Sequence, residues 1–207
     1  MCSNFQTIQM EAKDDFTEKR SKFIGYIAPV QTVEEANQFI EKIKKENYDA
    51  KHNCYAYILR ETKLKRYSDD GEPQGTAGTP ILNVLEKEHI TDAIIVVTRY
   101  FGGVLLGTGG LTRAYTHAAK LALEAAEIKT MSLCSILSVT VDYAFYQKLK
   151  FMMQQLQMKI LEENFLENVT LLFSVPKENE KNCIDKIFEL SDGKYTSEKI
   201  CEKFAEI

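Results

Sequence analysis

The chain has 207 residues, of which 44% are apolar and 27% charged, and a formal net charge of −4. This is ordinary globular composition, which excludes wholesale disorder; at about 100–200 residues per domain, the length suits one large domain or two small ones. Residues 1–133 carry a net −1 and residues 134–207 a net −3, so neither half has the basic excess of a strong non-specific nucleic-acid binder, and any such contact needs a local patch such as Arg60, Lys63, Lys65 and Arg66.

In chain order, Phe5 to Lys13 alternates loosely as an opening strand, and Lys22 to Ala28 reads as a second. Thr32 has the position of a helix N-cap, with Glu34 and Glu35 in the first turn where the helix dipole favours acids. Ala36, Phe39, Ile40 and Ile43 recur at helical spacing through Lys45. Cys54 to Leu59 is a strand, Arg60 to Thr79 a long loop, and a short helix starts at Pro80 and runs through Leu85. Ala93 to Val97 is the continuous β-branched run of a strand buried on both faces. Leu111 to Glu127 is a helix whose inward stripe is Leu111, Ala114, Tyr115, Ala118, Ala122 and Ala125.

A second unit begins near Cys134. Ile136–Tyr143, Met158–Glu163, Val169–Val175 and Tyr195–Phe204 are strands, with helices over Phe145–Leu156 and Glu178–Leu190. That β-α-β-β-α-β order is the ferredoxin-like split βαβ pattern. The division is therefore residues 1–132 and residues 134–207, with Lys129 to Leu133 a short, stiff link.

No apolar run approaches the ~18 residues of a membrane span. The start, Met1-Cys2-Ser3-Asn4-Phe5-Gln6, lacks the basic opening and apolar core of a signal peptide. Cys2, Cys54, Cys134, Cys183 and Cys201 are scattered and never in C-x-x-C spacing, which argues against a disulfide framework or a zinc site. A soluble, cytoplasmic protein is expected.

Eight of the ten glycines fall between Tyr67 and Tyr115, in two loops that flank the Ala93–Val97 strand and can meet at one end of a sheet. Glycine this dense is costly to order and is used where the backbone needs φ > 0 or a close approach. In the first loop, Asp69, Asp70 and Glu72 suit either a hard cation such as Mg²⁺ or a solvated Asp-Gly turn; the acid spacing of an EF-hand is absent. In the second, Arg99 follows the strand and can offer a flat donor fork to a phosphate or carboxylate. Gly107-Thr108-Gly109-Gly110 opens the long helix and points free N–H groups at an anion, with Arg113 in the first turn adding charge. The competing reading is a tight packing turn with an arginine paired to Asp69 or Asp70. Neither a Walker A motif nor a G-x-G-x-x-G fingerprint is present. His52, His89 and His117 form no zinc-binding spacing, and Ser68 could join His52 or His117 in a dyad only by accident of the fold.

Ser21-Lys22-Phe23, the Asp69 to Gly78 loop (D-D-G-E-P-Q-G-T-A-G) and the Thr98 to Tyr115 segment (T-R-Y-F-G-G-V-L-L-G-T-G-G-L-T-R-A-Y) together resemble the YigZ/IMPACT family, over roughly residues 15–125. The tail beyond residue 134 resembles the smaller C-terminal domain of bacterial members. The resemblance implies an α+β protein: an N-terminal domain of the ribosomal-protein-S5 domain-2-like fold, with helices on one side of a sheet, and a C-terminal ferredoxin-like domain like the last domain of elongation factor G. It also implies work in translation, since eukaryotic members restrain the starvation-activated kinase of translation initiation.

The reading that combines residues and resemblance is a protein acting by binding rather than catalysis, with no catalytic residue, metal or cofactor assigned. Its partner is the ribosome, RNA or a translation-regulating protein. The candidate binding residues are Lys22, Arg66, Asp69, Asp70, Glu72, Gly75, Thr76, Arg99, Tyr100, Gly102, Gly103, Thr108, Gly109, Gly110 and Arg113. Arg99 or Arg113 should lie within reach of Asp69, Asp70 or Glu72. The rival is an enzyme on a phosphorylated small molecule, because the S5-like fold is shared with sugar and mevalonate kinases; against it, Gly107 to Leu111 lacks the serines those kinases use.

Overall fold

The structure, a computed structural model, describes residues 4–153 and 155–206; the Met1-Cys2-Ser3 start, and Cys2 with it, lies outside them. The described residues open with three strands, β1 (Asn4–Ile8), β2 (Ala12–Glu18) and β3 (Ser21–Pro29). The single strand expected over Phe5–Lys13 is thus two, broken by a bend at Gln9, whose N–H turns to the Glu127 carbonyl at 2.9 Å. Nothing in its own composition announces β2, which carries two adjacent aspartates. It forms because every residue from Ala12 to Glu18 pairs with β3 while Ala12 and Phe16 pack on the core. Charges on the outside of such an edge strand keep it from pairing with another chain.

Helix α1 (Val33–Glu46) starts as expected, with Thr32 Oγ1 accepting the Glu35 N–H at 3.1 Å. Strand β4 (His52–Leu59) follows, and then β5 (Leu64–Ser68) inside the stretch expected to be loop. The basic residues Lys65 and Arg66 disguise β5, which is held by antiparallel pairing to β4. Helix α2 (Gly78–Lys87), strand β6 (Ala93–Tyr100) and helix α3 (Thr108–Glu124) complete this part. Thr98, Arg99 and Tyr100 are strand residues rather than the start of a loop.

The sheet runs β2–β3–β6–β4–β5, with each neighbouring pair antiparallel. Side chains alternate across it. Ala93, Ile95 and Val97 face the cluster that holds α2 and α3, while Ile94 and Val96 face the cluster built on Ala36, Phe39, Ile40 and Ile43 of α1. Helices therefore cover both faces, not one, because the apolar stripe of α1 needs its own sheet surface to bury.

The remaining elements are β7 (Ile128–Val141), α4 (Tyr143–Met153), β8 (Lys159–Phe165), β9 (Val169–Pro176), α5 (Glu180–Leu190) and β10 (Glu198–Glu206). Strands β7 to β10 stand in the order β10–β7–β9–β8, all antiparallel, the arrangement of a split βαβ unit. Leu137, Val139, Phe145, Leu149, Phe173 and Ile187 are among its core residues. The described residues divide into two compact units, Phe5–Lys129 and residues 130–206 together with Asn4. The link expected at Lys129–Leu133 is part of β7. Among the described residues no helix is long and apolar enough to cross a membrane.

Gly25 on β3 marks the tightest sheet–helix approach. A Cβ there would stand 2.4 Å from the Ala118 carbonyl oxygen and 3.0 Å from the Ala122 Cβ, so the alanine stripe of α3 lies directly on the strand. Gly25→Ala should therefore destabilise the protein by about 1–3 kcal/mol through overpacking, read as a lower urea midpoint at unchanged slope; an unchanged midpoint would show that α3 can move away freely.

Candidate binding site on the first unit

The loop from Asp69 to Gly78 is organised by one carboxylate. Asp69 Oδ2 accepts the Gly75 N–H at 2.9 Å, and Oδ1 accepts those of Ala77 and Gly78 at 3.0 and 2.8 Å. The residue at the α2 N-cap, Ala77, has no side chain to do this. Asp69 thus caps α2 from eight residues upstream, satisfying N–H groups that a helix start leaves open. Burial pushes its carboxyl up, but the three N–H donors outweigh that and hold it below the ordinary value. Gly75 supplies φ +76° for the turn, and Thr76 Oγ1 donates to the Pro73 carbonyl at 2.6 Å. Asp70, itself at φ +42°, turns the other way: its Oδ2 accepts the Asn53 N–H at 2.7 Å and its carbonyl faces His52 Nδ1 at 2.9 Å. The acids diverge, and among the described residues no group of three or more His, Cys, Asp or Glu is arranged to hold a metal ion.

Glu72 points inward. Its Oε1 accepts from Arg99 Nη1 at 2.6 Å and from the Tyr115 hydroxyl at 2.9 Å, with the two charged side chains only 4% and 6% exposed. The guanidinium carbon stands 5.5 and 5.4 Å from the ring centroids of Phe23 and Phe101. The two glycine loops therefore do meet on one rim, as the sequence requires, but the donor fork expected for a ligand is spent on Glu72. Buried Nε of Arg99 has no hydrogen-bond partner among the described residues. Beside the pair, the Cys54 thiol donates to the Asp69 carbonyl at 2.9 Å. Burial pushes that thiol far up, and pushes the Tyr115 phenol up further with Cys54 and Glu72 adding to it. Both groups stay protonated and serve as donors.

Several candidates lie elsewhere. Tyr100 falls on the α1 face, where its hydroxyl meets Asn47 Oδ1 at 3.1 Å and Asp49 Oδ1 at 3.0 Å; burial and Asp49 push its phenol up to about 12. Lys22 stands opposite Tyr100 in register and pairs with Asp15 at 3.2 Å. Arg66 is exposed on β5, opposite Tyr57, at the far edge of the sheet.

The outer rim is made by Gly102 to Arg113 and the β2–β3 turn. A Cβ at Gly102 would stand 2.0 Å from the Arg20 carbonyl carbon, so glycine is what lets the two segments touch. The turn itself is Lys19-Arg20, closed by the Glu18–Ser21 pair, with φ +46° and +65°. Such two-residue hairpin turns favour Asn-Gly, and L side chains there cost about 1–2 kcal/mol each. Gly103 and Gly107, at φ +83° and +74°, bound an exposed segment that leads to Thr108, Gly109 and Gly110 at the start of α3. Arg113 is the sixth helical residue, one turn later than expected. A cleft of about 340 Å³ lies here, lined by Phe16, Lys19, Leu106, Gly110, Arg113 and His117, with Glu18 its one acid. The sequence pointed to Gly110 and Arg113, but not to Lys19 and Arg20, which occupy a turn whose usual residues are absent. Tyr115 has the helical spacing of a core residue, and no local pattern reveals the partner of its hydroxyl.

Fold and rim define a two-domain α+β protein whose first domain brings Glu72, Arg99 and the glycine loops around them together at one end of its sheet. Residues 19–123 match the Impact N-terminal domain family, and residues 139–194 match a domain of unknown function (DUF1949). The chain is 37% identical over 196 residues to IMPACT family member YvyE of Bacillus subtilis, covering 94% of this chain and 90% of that protein. To IMPACT family member YigZ of Escherichia coli it is 32% identical, covering 84% and 87%. Protein IMPACT of Rattus norvegicus is 34% identical over 97 residues, 44% of this chain and 30% of that protein. A solved crystal structure described as that of a hypothetical protein superposes with TM-score 0.62 at 28% identity, covering 98% of this chain and all of that one. The chain belongs to the IMPACT family.

Removing one partner of a buried ion pair leaves an uncompensated charge, so Glu72→Ala and Arg99→Ala should each cost about 3–5 kcal/mol in urea unfolding, and Glu72→Gln with Arg99→Met should recover much of it. Single losses below about 1 kcal/mol would mean that the pair behaves as an exposed one.

Asp69 adds a pH dependence of known sign. A carboxylate held below its unfolded value of about 3.9 stabilises the fold above that pH and loses the contribution as pH falls through the folded value. Asp69→Asn should be less stable than the wild type at neutral pH and should lose less stability on acidification below about pH 4; parallel stability–pH curves would contradict this.

Proposed function

We propose that the chain is a binding protein of the translation apparatus, contacting the ribosome, RNA or a translation-regulating protein through the rim of its first domain. In this reading the candidate residues divide by role. Asp69, Asp70, Glu72, Gly75, Thr76 and Arg99 hold the rim in shape, while Gly102, Gly103, Thr108, Gly109, Gly110 and Arg113, joined by Lys19 and Arg20, present it. Family membership supports a regulatory role, since the resemblance of the glycine loops is to proteins that restrain translation initiation.

The observation that carries the reading is the set of cations around the cleft. Among the described residues Lys19, Arg20 and Arg113 make no ion pair, although Glu18 adjoins the first two in sequence and lines the same cleft as Arg113. Unpaired cations beside a concave site are available to an anionic ligand group, and they raise encounter rates in a salt-dependent way. Cytoplasmic location fits such a role.

The test is affinity purification of the full chain from cells, with and without nuclease, comparing the wild type with Arg113→Glu. Expected is a several-fold loss of the recovered partner and a shallower salt dependence, at an unchanged melting temperature. Unchanged recovery would place the binding function elsewhere on the chain.

A further inference from the structure

Packing does not account for three features that meet on this rim. Val104 and Leu105 stand in solvent at 39% and 83% exposure, in a segment bounded by the left-handed glycines Gly103 and Gly107, and Phe101 just before it is still 51% exposed although one face of its ring lies against Arg99. Large apolar side chains gathered on one loop mark an interaction surface. Next to them, Lys19 and Arg20 occupy backbone conformations that glycine or asparagine would adopt more cheaply; strain of this kind collects at functional sites. Between loop and turn lies the cleft, with apolar walls from Phe16 and Leu106 and cations at Lys19 and Arg113.

We propose that this rim docks a short segment of a protein partner in which carboxylates flank an aliphatic or aromatic anchor. The anchor enters the cleft beside Leu106, the carboxylates face Lys19, Arg20 and Arg113, and Val104 and Leu105 pack on the apolar side of the segment. This rests on the reading of the rim as the binding face and names the chemistry of what it binds. The charge pattern, three cations against the single acid Glu18, selects an acidic partner. The make-up of the patch selects protein over RNA: single-stranded RNA is held by successive aromatic platforms along a continuous cationic track, whereas this loop offers the single exposed ring of Phe101 beside the aliphatic Val104 and Leu105, and Glu18 stands among the cations of the cleft. A lipid surface would use the same apolar side chains but would leave the cleft unfilled.

The experiment pans a random-peptide phage library against the full chain and measures the enriched peptides by fluorescence anisotropy, beside labelled oligouridine and phosphatidylserine vesicles. Enriched sequences should carry Asp or Glu around Leu or Phe. Their binding should fall at least about tenfold, as for an interface hot spot, in Leu105→Asp and in the double variant Lys19→Asn with Arg20→Gly. That double variant should also melt at a higher temperature than the wild type, because it installs the favoured turn; tighter folding with weaker binding separates the docking role from a structural one. The proposal is overturned if no acidic–apolar pattern is enriched, if the variants bind the peptides as the wild type does, or if oligouridine or vesicles bind more tightly through the same residues. Should peptides fail while Arg113→Glu still lowers recovery of the cellular partner, the rim stands as the binding face and the peptide chemistry falls.

Discussion

The ion pair between Glu72 and Arg99, closed by the Tyr115 hydroxyl, is the constraint on which the first domain depends. It joins three elements far apart in sequence: the loop after β5, the end of β6 and the body of α3. Taking two charges out of water costs several kcal/mol per ion, and their attraction offsets this only when the geometry is close and further hydrogen bonds are made. The 2.6 Å contact and the shared Tyr115 donor meet that condition at Oε1. Such a pair contributes little net stability, but it penalises every other placement of the loop, because any shift strands a buried charge. In this protein it therefore acts as a registration device.

Once Glu72 is seated, the rest of the loop has little freedom. Asp69 reaches the open N–H groups of α2, Asp70 turns to β4, and Cys54 closes on the Asp69 carbonyl. The charges that looked like ligand contacts in the sequence are mostly internal fastenings. Glycine performs a different task at each place. Gly25 and Gly102 have no side chain because another backbone or helix occupies the space, whereas Gly103 and Gly107 face open solvent and supply backbone angles. The first kind builds the rim and the second shapes what the rim displays.

A contrast between inside and outside follows. Within the domain each acid of the Asp69–Glu72 loop has a partner, and the buried thiol and phenol remain protonated donors. Outside, an apolar loop and a strained cationic turn are left without covering groups from this domain. Natural chains rarely keep both costs at one place without a use. Elsewhere on both units surface lysines are paired with acids, among them Lys22 with Asp15, Lys65 with Glu86, Lys194 with Asp142 and Lys199 with Glu202.

What the sequence determined by itself is what short-range physics controls. The Thr32 cap, the apolar stripe of α1, the buried run of β6, the alanine face of α3 and the split βαβ order after residue 134 each rest on residues within a few positions of one another. Their periodicity and capping chemistry therefore survive in the linear text. The glycine loops were also evident there, as was their meeting on one rim, because dense glycine has few other uses. What only the tertiary structure decided was pairing at a distance. Strands β2 and β5 are charged and form because β3 and β4 lend them hydrogen bonds; α1 crosses to the second face because its stripe needs a surface there. Arg99 meets Glu72 because alternation along β6 turns its side chain into the core while sending Tyr100 to the opposite face. Lys19 and Arg20 became part of the rim only when Gly102 brought a loop eighty residues later against their turn. A side chain's partner depends on strand register and face, and those are properties of the assembled sheet rather than of any window along the chain.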